Sequence, residues 1–371
     1  MNLATRLERA WWQPSLTPVA ALFLPAAALF GALAALRRRL YRSGSLASVR
    51  LPVPVIVVGN LAVGGTGKTP LTAALARALR ERGFRPGIVS RGYGRRDRAV
   101  HEVTPASTWR EVGDEPLVLA RSGAPVCVAT TRAAAAAALI AAHRNVDVIL
   151  SDDGLQHYAL ARDFEIAVVD ARRGLGNGRL LPAGPLREPA GRLGEVDAIV
   201  ERETEPPGTV ATQPDRYGAA VAQSDWRRAA DGVARYPMHY EHEPWRNLVD
   251  ATARLDPASL GAGDAVAIAA IADPEPFFAL VERLGIASRT RAFPDHYAFR
   301  REDLVFPGAR AILMTEKDAV KCREFADARM WFLPIRAAVD PALVDVIVEK
   351  LRGPEAARNA GLPGDQGSAD P

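Results

Sequence analysis

Hydrophobic positions in the first half of the chain fall into short blocks separated by polar turns. Val53 to Val58 is one such block, rich in β-branched residues, and predicts a strand buried on both faces. The turn Gly64-Gly65-Thr66-Gly67 follows. A helix is then predicted over Thr69 to Arg82, with Leu71, Ala74, Leu75, Ala78 and Leu79 at helical spacing and Gly83 as its stop. Further strands are expected at Pro86–Ser90, Ala124–Ala129, Val146–Leu150 and Phe164–Val169, and an alanine-rich helix over Thr131–His143. This alternation gives an α/β architecture, a parallel sheet with helices on both faces and ligands at the carboxyl ends of its strands. Those ends carry Ser151-Asp152-Asp153 and Asp170.

The pattern turns irregular at 201–260, where Pro206, Pro207, Pro214, Pro237 and Pro244 point to a connecting or β-rich region. A second, smaller α/β unit starts near Asp264. It has a strand at Ala265–Ile271, a helix through Phe277 to Leu284, and a strand at Ala311–Met314 running into Thr315-Glu316-Lys317-Asp318. Beyond Gly353 the composition, rich in Gly, Ala, Pro and Asp, predicts a disordered tail. The expected divisions are therefore an N-terminal helical segment at 1–48, a core domain at 49–225, a C-terminal domain at 226–353 and the tail at 354–371.

The N-terminal segment has no charged residue from Ala10 to Leu36, and then Arg37, Arg38, Arg39 and Arg42. As a helix, Leu16 to Leu36 would run about 30 Å, the thickness of a hydrocarbon core. Pro18 and Pro25 interrupt it, and weakly apolar alanine fills much of it. Trp11 and Trp12 at one end and arginines at the other resemble interfacial anchors. The expected form is a membrane-associated anchor, embedded or interfacial; a true span and a soluble core helix are the other readings. A cleaved signal peptide is a further rival, disfavoured by the ligand that the glycine-rich turn at 64–69 implies below.

At 371 residues, 48% hydrophobic and 24% charged, the chain has room for two ordinary domains. Cys127 and Cys322 make neither a metal-ligand pattern nor a disulfide framework, which points to a reducing compartment. A net charge of +4 and a pI near 9.2 raise the question of nucleic acid. Aromatic residues are only 6% and do not interleave with the arginine clusters at 37–42, 80–98 and 172–192, so stacking platforms are lacking. Lysines occur only at 68, 317, 321 and 350. The one at 68 sits inside the glycine-rich run, where a compact ammonium serves better than a planar guanidinium.

Residues 64–69, Gly-Gly-Thr-Gly-Lys-Thr, lie between a strand and a helix as in a P-loop. Gly64, Gly65, Thr66 and Gly67 would turn backbone N–H groups around phosphate oxygens, with the helix N-terminus behind them. Lys68 would reach the β- and γ-phosphates of ATP, and Thr69 would place its hydroxyl on Mg²⁺. The usual pattern wants glycine at 62; Ala62 fits only with a negative φ. Asp152 and Asp153, just past a strand, suit a metal, since adjacent carboxylates repel unless a cation sits nearby. On the residues alone, Asp114 and Glu115 look like helix caps and His296 like a structural histidine.

Taken together, these motifs resemble the tetraacyldisaccharide 4′-kinase family of lipid A biosynthesis. The stretches that carry the likeness are Pro52–Asn60 with its Gly-Gly-Thr-Gly-Lys-Thr-Pro loop, Ser90–Arg95, Val112–Pro116 and Asp152–His157. Gly174–Arg179, Leu181–Pro189, Phe293–Tyr297 and Thr315–Lys321 complete them. The resemblance implies a P-loop NTPase-like core and a smaller C-terminal domain that close around nucleotide. It also implies transfer of the ATP γ-phosphate to the 4′-hydroxyl of a tetraacylated glucosamine disaccharide 1-phosphate at the cytoplasmic face of the inner membrane. Asp114 would be the general base, paired with His296, while Asp152, Asp153 and Thr69, with Glu115 assisting, would organise Mg²⁺. Tyr93, Arg91, Asn177, Arg179 and His157 are the candidate contacts to the lipid disaccharide. The rival reading is a membrane-bound P-loop NTPase that drives assembly of a partner.

Overall fold

The computed structural model describes residues 3–13, 15–203 and 226–359. Strand β1 (Val55–Gly59) is buried along its whole length because it runs through the middle of the larger sheet. Val55 and Val57 point into one hydrophobic layer and Ile56 and Val58 into the opposite one, the period of two expected of a strand covered on both faces. Parallel neighbours of β1 are β5 (Val148–Ser151) and β6 (Phe164–Asp170). On one side the sheet continues from β5 through β2 (Pro86–Ser90) and β4 (Val126–Val128), and the short β3 (His101–Glu102) closes that edge antiparallel. On the other side β6 is followed by β7 (Ala198–Arg202) and β8 (Arg235–His242), both parallel.

A second sheet holds β9 (Arg246–Asn247), β10 (Ala265–Ala269), β11 (Ser288–Ala292), β12 (Ala311–Thr315) and β13 (Met330–Leu333), in the order β11-β10-β12-β13-β9. All its pairings are parallel except that of β9 with β13. The chain then returns to the first sheet: β14 (Ile335–Val339) pairs antiparallel with β8, completing nine strands in the order β14-β8-β7-β6-β1-β5-β2-β4-β3. The sheets thus divide at about His242 and Leu333, not at 226. Without β8 and β14, the inner strand β7 would present an unpaired edge. The last helix, Pro341–Asn359, also belongs to the larger unit, placing Leu343 and Ile347 against Leu71, Leu75 and Leu79 of the Lys68–Glu81 helix. Its backbone bends at Gly353 and stays helical to Asn359, so the tail expected from 354 begins helical and its remainder lies outside the described residues.

The N-terminal segment forms three helices, Leu3–Trp11, Pro18–Leu22 and Leu24–Arg42. The prolines expected to interrupt the run begin helices, where a missing N–H costs nothing. Among the described residues, no helix is long and apolar enough to cross a membrane. At about 100° per residue, Ala27, Gly31 and Arg38 share one face of the third helix and Leu29, Leu33 and Leu36 the opposite one. The first face packs on the protein: Ala27 is buried, a Cβ on Gly31 would meet Leu180, and Arg38 pairs with Glu195. Leu29, Leu33 and Leu36 remain 64%, 58% and 54% exposed.

Candidate active site

The phosphate loop leaves β1 at the sheet's centre and enters the Lys68–Glu81 helix through Gly67, whose φ of 101° and ψ of 15° suit glycine. Inside the turn the Asn60 amide donates to Thr66 Oγ1 (2.9 Å) and Thr66 N to the Gly64 carbonyl (3.1 Å). The Leu181–Pro189 segment straps the loop down, with Val63 N donating to Pro185 O and Arg187 N to Leu61 O, both at 2.8 Å. Ala62, bridged to Leu186, has no positive φ, so its methyl is accommodated.

Asp152 follows β5 and is buried below the loop. Thr69 Oγ1 donates to its Oδ2 and Thr72 Oγ1 to its Oδ1, both at 3.1 Å. Burial, reinforced by the charges of Glu115 and Asp153, pushes the Asp152 carboxyl up to about 7. Asp153 faces the other way, at a positive φ of 48°, and takes Arg187 (2.9 Å) and Lys68 (3.6 Å). Burial opposes its charge, but Lys68, Arg187 and Arg132 overcome that and hold the carboxyl far below its ordinary range. Arg132, itself buried, donates to the carbonyls of Asp152 (3.1 Å) and Asp153 (2.8 Å) and fixes this turn.

Asp114 begins the Asp114–Leu119 helix behind Gly113, where any Cβ would collide with Gly92 and the Tyr93 carbonyl. Its carboxylate is buried, accepts Glu115 N (2.9 Å), and lies 3.2 and 3.0 Å from Nδ1 of His296. The N-cap position is Gly113, so Asp114 is the first helical residue and not the cap, and its carboxylate meets both the Glu115 amide and the histidine. His296 comes from the loop after β11, with a positive φ of 57° and its N–H on the Ala270 carbonyl (3.2 Å). Asp153 and His296 are the only positive-φ residues besides glycine among the described residues, and both face this region. The Tyr93 ring lies 4.7 Å from the imidazole. Burial works against the charge on Asp114, but the hydrogen bond from His296 and the ammonium of Lys317 outweigh it and hold the carboxyl below its ordinary range.

The phosphate loop, Asp153, Arg187, Glu115 and His296 line one open cleft of about 2150 Å³ between the two sheets. Other candidates are engaged elsewhere. Asn177 spends its side chain in its own loop, donating to Ala183 O (2.9 Å) and accepting from Arg179 N (3.0 Å), while Asn177 N holds the Trp11 carbonyl (2.8 Å). Arg179 is exposed on that loop. Arg91 is exposed at the end of β2, close enough for its charge to act on Arg132 and His157. His157 accepts from Arg132 (2.7 Å), and burial together with that guanidinium pushes it down to about 3, so it is a neutral strut. Glu115 pairs with Lys317 (3.2 Å). Among the described residues, no group of three or more His, Cys, Asp or Glu is gathered as a metal cage.

Sequence reasoning passed over several residues at this site. Lys317 and Lys321 lie beside the Asp114–His296 pair, and Arg202, paired with buried Asp170, stands behind Gly67 beside Tyr240. The lysines were visible as two of four in the chain, four apart in one short stretch.

The family model for tetraacyldisaccharide-1-P 4'-kinase matches residues 19–352. A tetraacyldisaccharide 4'-kinase of Dechloromonas aromatica (strain RCB) is 47% identical over 357 residues, 96% of this chain and 100% of the relative. Another, from Azoarcus sp. (strain BH72), is 46% identical over 92% of this chain and 95% of its own length. Among solved structures, LpxK from Aquifex aeolicus in complex with ATP superposes with a TM-score of 0.70 at 27% identity, covering 90% of this chain and 99% of the other. With a match that spans both sheets and the loop between β1 and its helix, the chain belongs to the tetraacyldisaccharide-1-P 4'-kinase family.

Proposed function

We propose that this protein transfers the γ-phosphate of ATP to the 4′-hydroxyl of a tetraacylated glucosamine disaccharide 1-phosphate, with Asp114 accepting the hydroxyl proton. The observation that carries this reading is a buried carboxylate, held below its ordinary range, 3.0 Å from His296, which lines the cleft that also holds the phosphate loop. A sugar alcohol is a poor nucleophile, and a positioned carboxylate takes its proton as the new P–O bond forms. His296 Nδ1 lies 3.0 Å from that carboxylate and orients it. Lys68 and the loop amides hold the phosphates, and Arg187 stands within reach of the same space.

The residues fit Mg²⁺. Thr69 and Asp152 are the P-loop hydroxyl and strand-end carboxylate such a site uses, and the crowding of Asp152 by Glu115 and Asp153 is what a divalent cation relieves. Two protein ligands suffice, because Mg²⁺ keeps waters and takes phosphate oxygens for the rest. When bound, the ion would neutralise charge on the phosphates. Asp153 and Glu115, each already held by a lysine, would act from outside it.

The exposed leucine face of the Leu24–Arg42 helix, with Arg37 and Arg39 flanking it, supports an interfacial anchor on an anionic leaflet. That position keeps the cleft at the height of a substrate whose acyl chains stay in the bilayer, on the cytoplasmic face of the inner membrane where ATP is available.

The test is an acceptor assay with defined lipid disaccharides and labelled ATP, run on the wild type and Asp114→Asn. The expected result is phosphate on the 4′-oxygen, and for the variant a kcat lower by about 10²- to 10⁴-fold with ATP affinity retained. Rapid ATP hydrolysis without lipid acceptor would favour an assembly-driving NTPase, and wild-type kcat in the variant would remove Asp114 from the role of base.

A further inference from the structure

Lys317 and Lys321 lie four residues apart on the Glu316–Cys322 helix, so both project from one face, and that face is turned to the Asp114–His296 pair. Lys317 Nζ is 3.3 Å from His296 Nε2, 3.2 Å from Glu115 Oε1 and 3.6 Å from Asp295 Oδ1. Lys321 is fully buried. Its Nζ is 2.8 Å from Asp318 Oδ1, 4.0 Å from Asp114 Oδ2 and 5.2 Å from the centre of the Phe299 ring.

The helix is tied to the loop that carries the histidine. Asp318 Oδ2 accepts Ala270 N (3.1 Å) and the Thr315 hydroxyl (2.7 Å), and the Ala270 carbonyl accepts His296 N (3.2 Å). Lys321, Asp318, Ala270, His296 and Asp114 thus form a closed circuit of contacts, with Lys317 on its cleft side.

An ammonium has three donors and no acceptor. Facing Lys317, Nε2 of His296 must offer its lone pair, so the ring proton resides on Nδ1, where it points at the Asp114 carboxylate. The opposite tautomer would set an N–H against the ammonium and a lone pair against the carboxylate, two repulsive contacts in place of two hydrogen bonds. We propose that Lys317 is a positioning residue that fixes the Nδ1–H tautomer of His296, so that Asp114 is oriented by a donor and keeps its other lone pairs for the substrate hydroxyl. Lys321 secures the same carboxylate from below. The proposal rests on the reading of Asp114 as the base for its effect on turnover, but the tautomer itself does not depend on that reading.

The experiment has two arms on the full chain. In the first, ¹⁵N-histidine-labelled protein gives the protonation of each ring nitrogen, with His296→Asn used to assign the signal. The wild type is expected to show Nδ1 protonated and Nε2 bare, and Lys317→Met a mixture of tautomers, whereas Lys317→Arg restores the first pattern. In the second, Lys317→Met lowers kcat by about 10- to 100-fold, the range for removing a partner that orients a functional histidine. KM for ATP stays within about threefold, and Lys317→Arg recovers most of the loss. A wild-type His296 protonated on Nε2, or a Lys317→Met protein with the tautomer and kcat of the wild type, overturns the proposal. Should Asp114→Asn keep full kcat while the histidine signals shift as described, the base assignment fails and the role of Lys317 on His296 stands.

Discussion

Replacing Gly67 by alanine tests whether the phosphate loop works through its backbone. Gly67 has a φ of 101°, and a Cβ there would lie 2.6 Å from the Tyr240 hydroxyl, 3.0 Å from Met238 Cε and 3.1 Å from Arg202 Cδ. A left-handed conformation costs an alanine about 1–2 kcal/mol. Overpacking of this kind adds about 1–3 kcal/mol, and the Tyr240 ring has little freedom to retreat because its neighbour Arg202 is held by Asp170. The sum is about 2–5 kcal/mol, equivalent to about 30- to 4,000-fold in an equilibrium constant.

The loop can escape that cost by relaxing away from the cradle, because only its far side is strapped to the 185–187 segment. The penalty should then appear as lost ATP affinity, at least about 30-fold by calorimetric titration, with a smaller loss of unfolding free energy in urea. Gly83→Ala is the control. It has a φ of 89° and nothing within 4 Å of the place its new methyl would occupy, so it carries the backbone cost alone. It should lose about 1–2 kcal/mol of stability and bind ATP normally. A Gly67→Ala protein that binds ATP within about threefold of the wild type would refute a backbone cradle at this position.

Three further outcomes are expected. The folded-state carboxyl of Asp170 is opposed by burial but held below its ordinary value by Arg202, Arg172 and Arg173, so its contribution to stability is present above the unfolded pKa and lost as pH falls below it. Asp170→Asn should therefore lower the urea-derived unfolding free energy at pH 7, by up to about 3–5 kcal/mol, and flatten the acid limb of the stability curve. Leu29→Glu with Leu33→Glu should leave stability within about 0.5 kcal/mol per site, since both are exposed, yet abolish co-sedimentation with anionic vesicles. Thr69→Val removes the hydroxyl on Asp152, and should raise the Mg²⁺ concentration for half-maximal turnover while metal-free nucleotide binding stays within about threefold.

The parts of this molecule legible in the sequence are those whose signal is contiguous. The run Val55–Gly59, the glycines that follow and the Lys68–Glu81 helix declare themselves within thirty residues, because a central parallel strand must be apolar on both faces. Strand β8 was hidden: Arg235-Tyr236-Pro237-Met238-His239-Tyr240 buries only alternate residues and contains a proline. Its partner β14 arrives about a hundred positions later, and no local pattern announces such a return. The pairing of Asp114 with His296 joins residues 182 apart and was available only through family resemblance. Asn177 is ambiguous in the opposite sense, since a polar residue in a glycine-rich loop suits a ligand contact and a turn brace equally well. In the fold its side chain bonds Ala183 and Arg179.

The division of labour across the cleft has an energetic logic. The larger unit holds the phosphate loop, Asp152 and Asp114. The groups that orient the carboxylate, His296 with Lys317 and Lys321, all come from the second sheet and its helix. Polar contacts across this seam are largely ionic: Arg121 with Glu316, Arg110 with Glu324, and Asp273 with Arg172 and Arg173. Ion pairs at a partly exposed seam contribute little net free energy, since water solvates the same charges when they separate, whereas an apolar seam would have to expose its surface. This seam is not ionic alone: Val320 of the Glu316–Cys322 helix is buried in the core of the larger unit, and Lys321 and Asp114 are buried 4.0 Å apart across it.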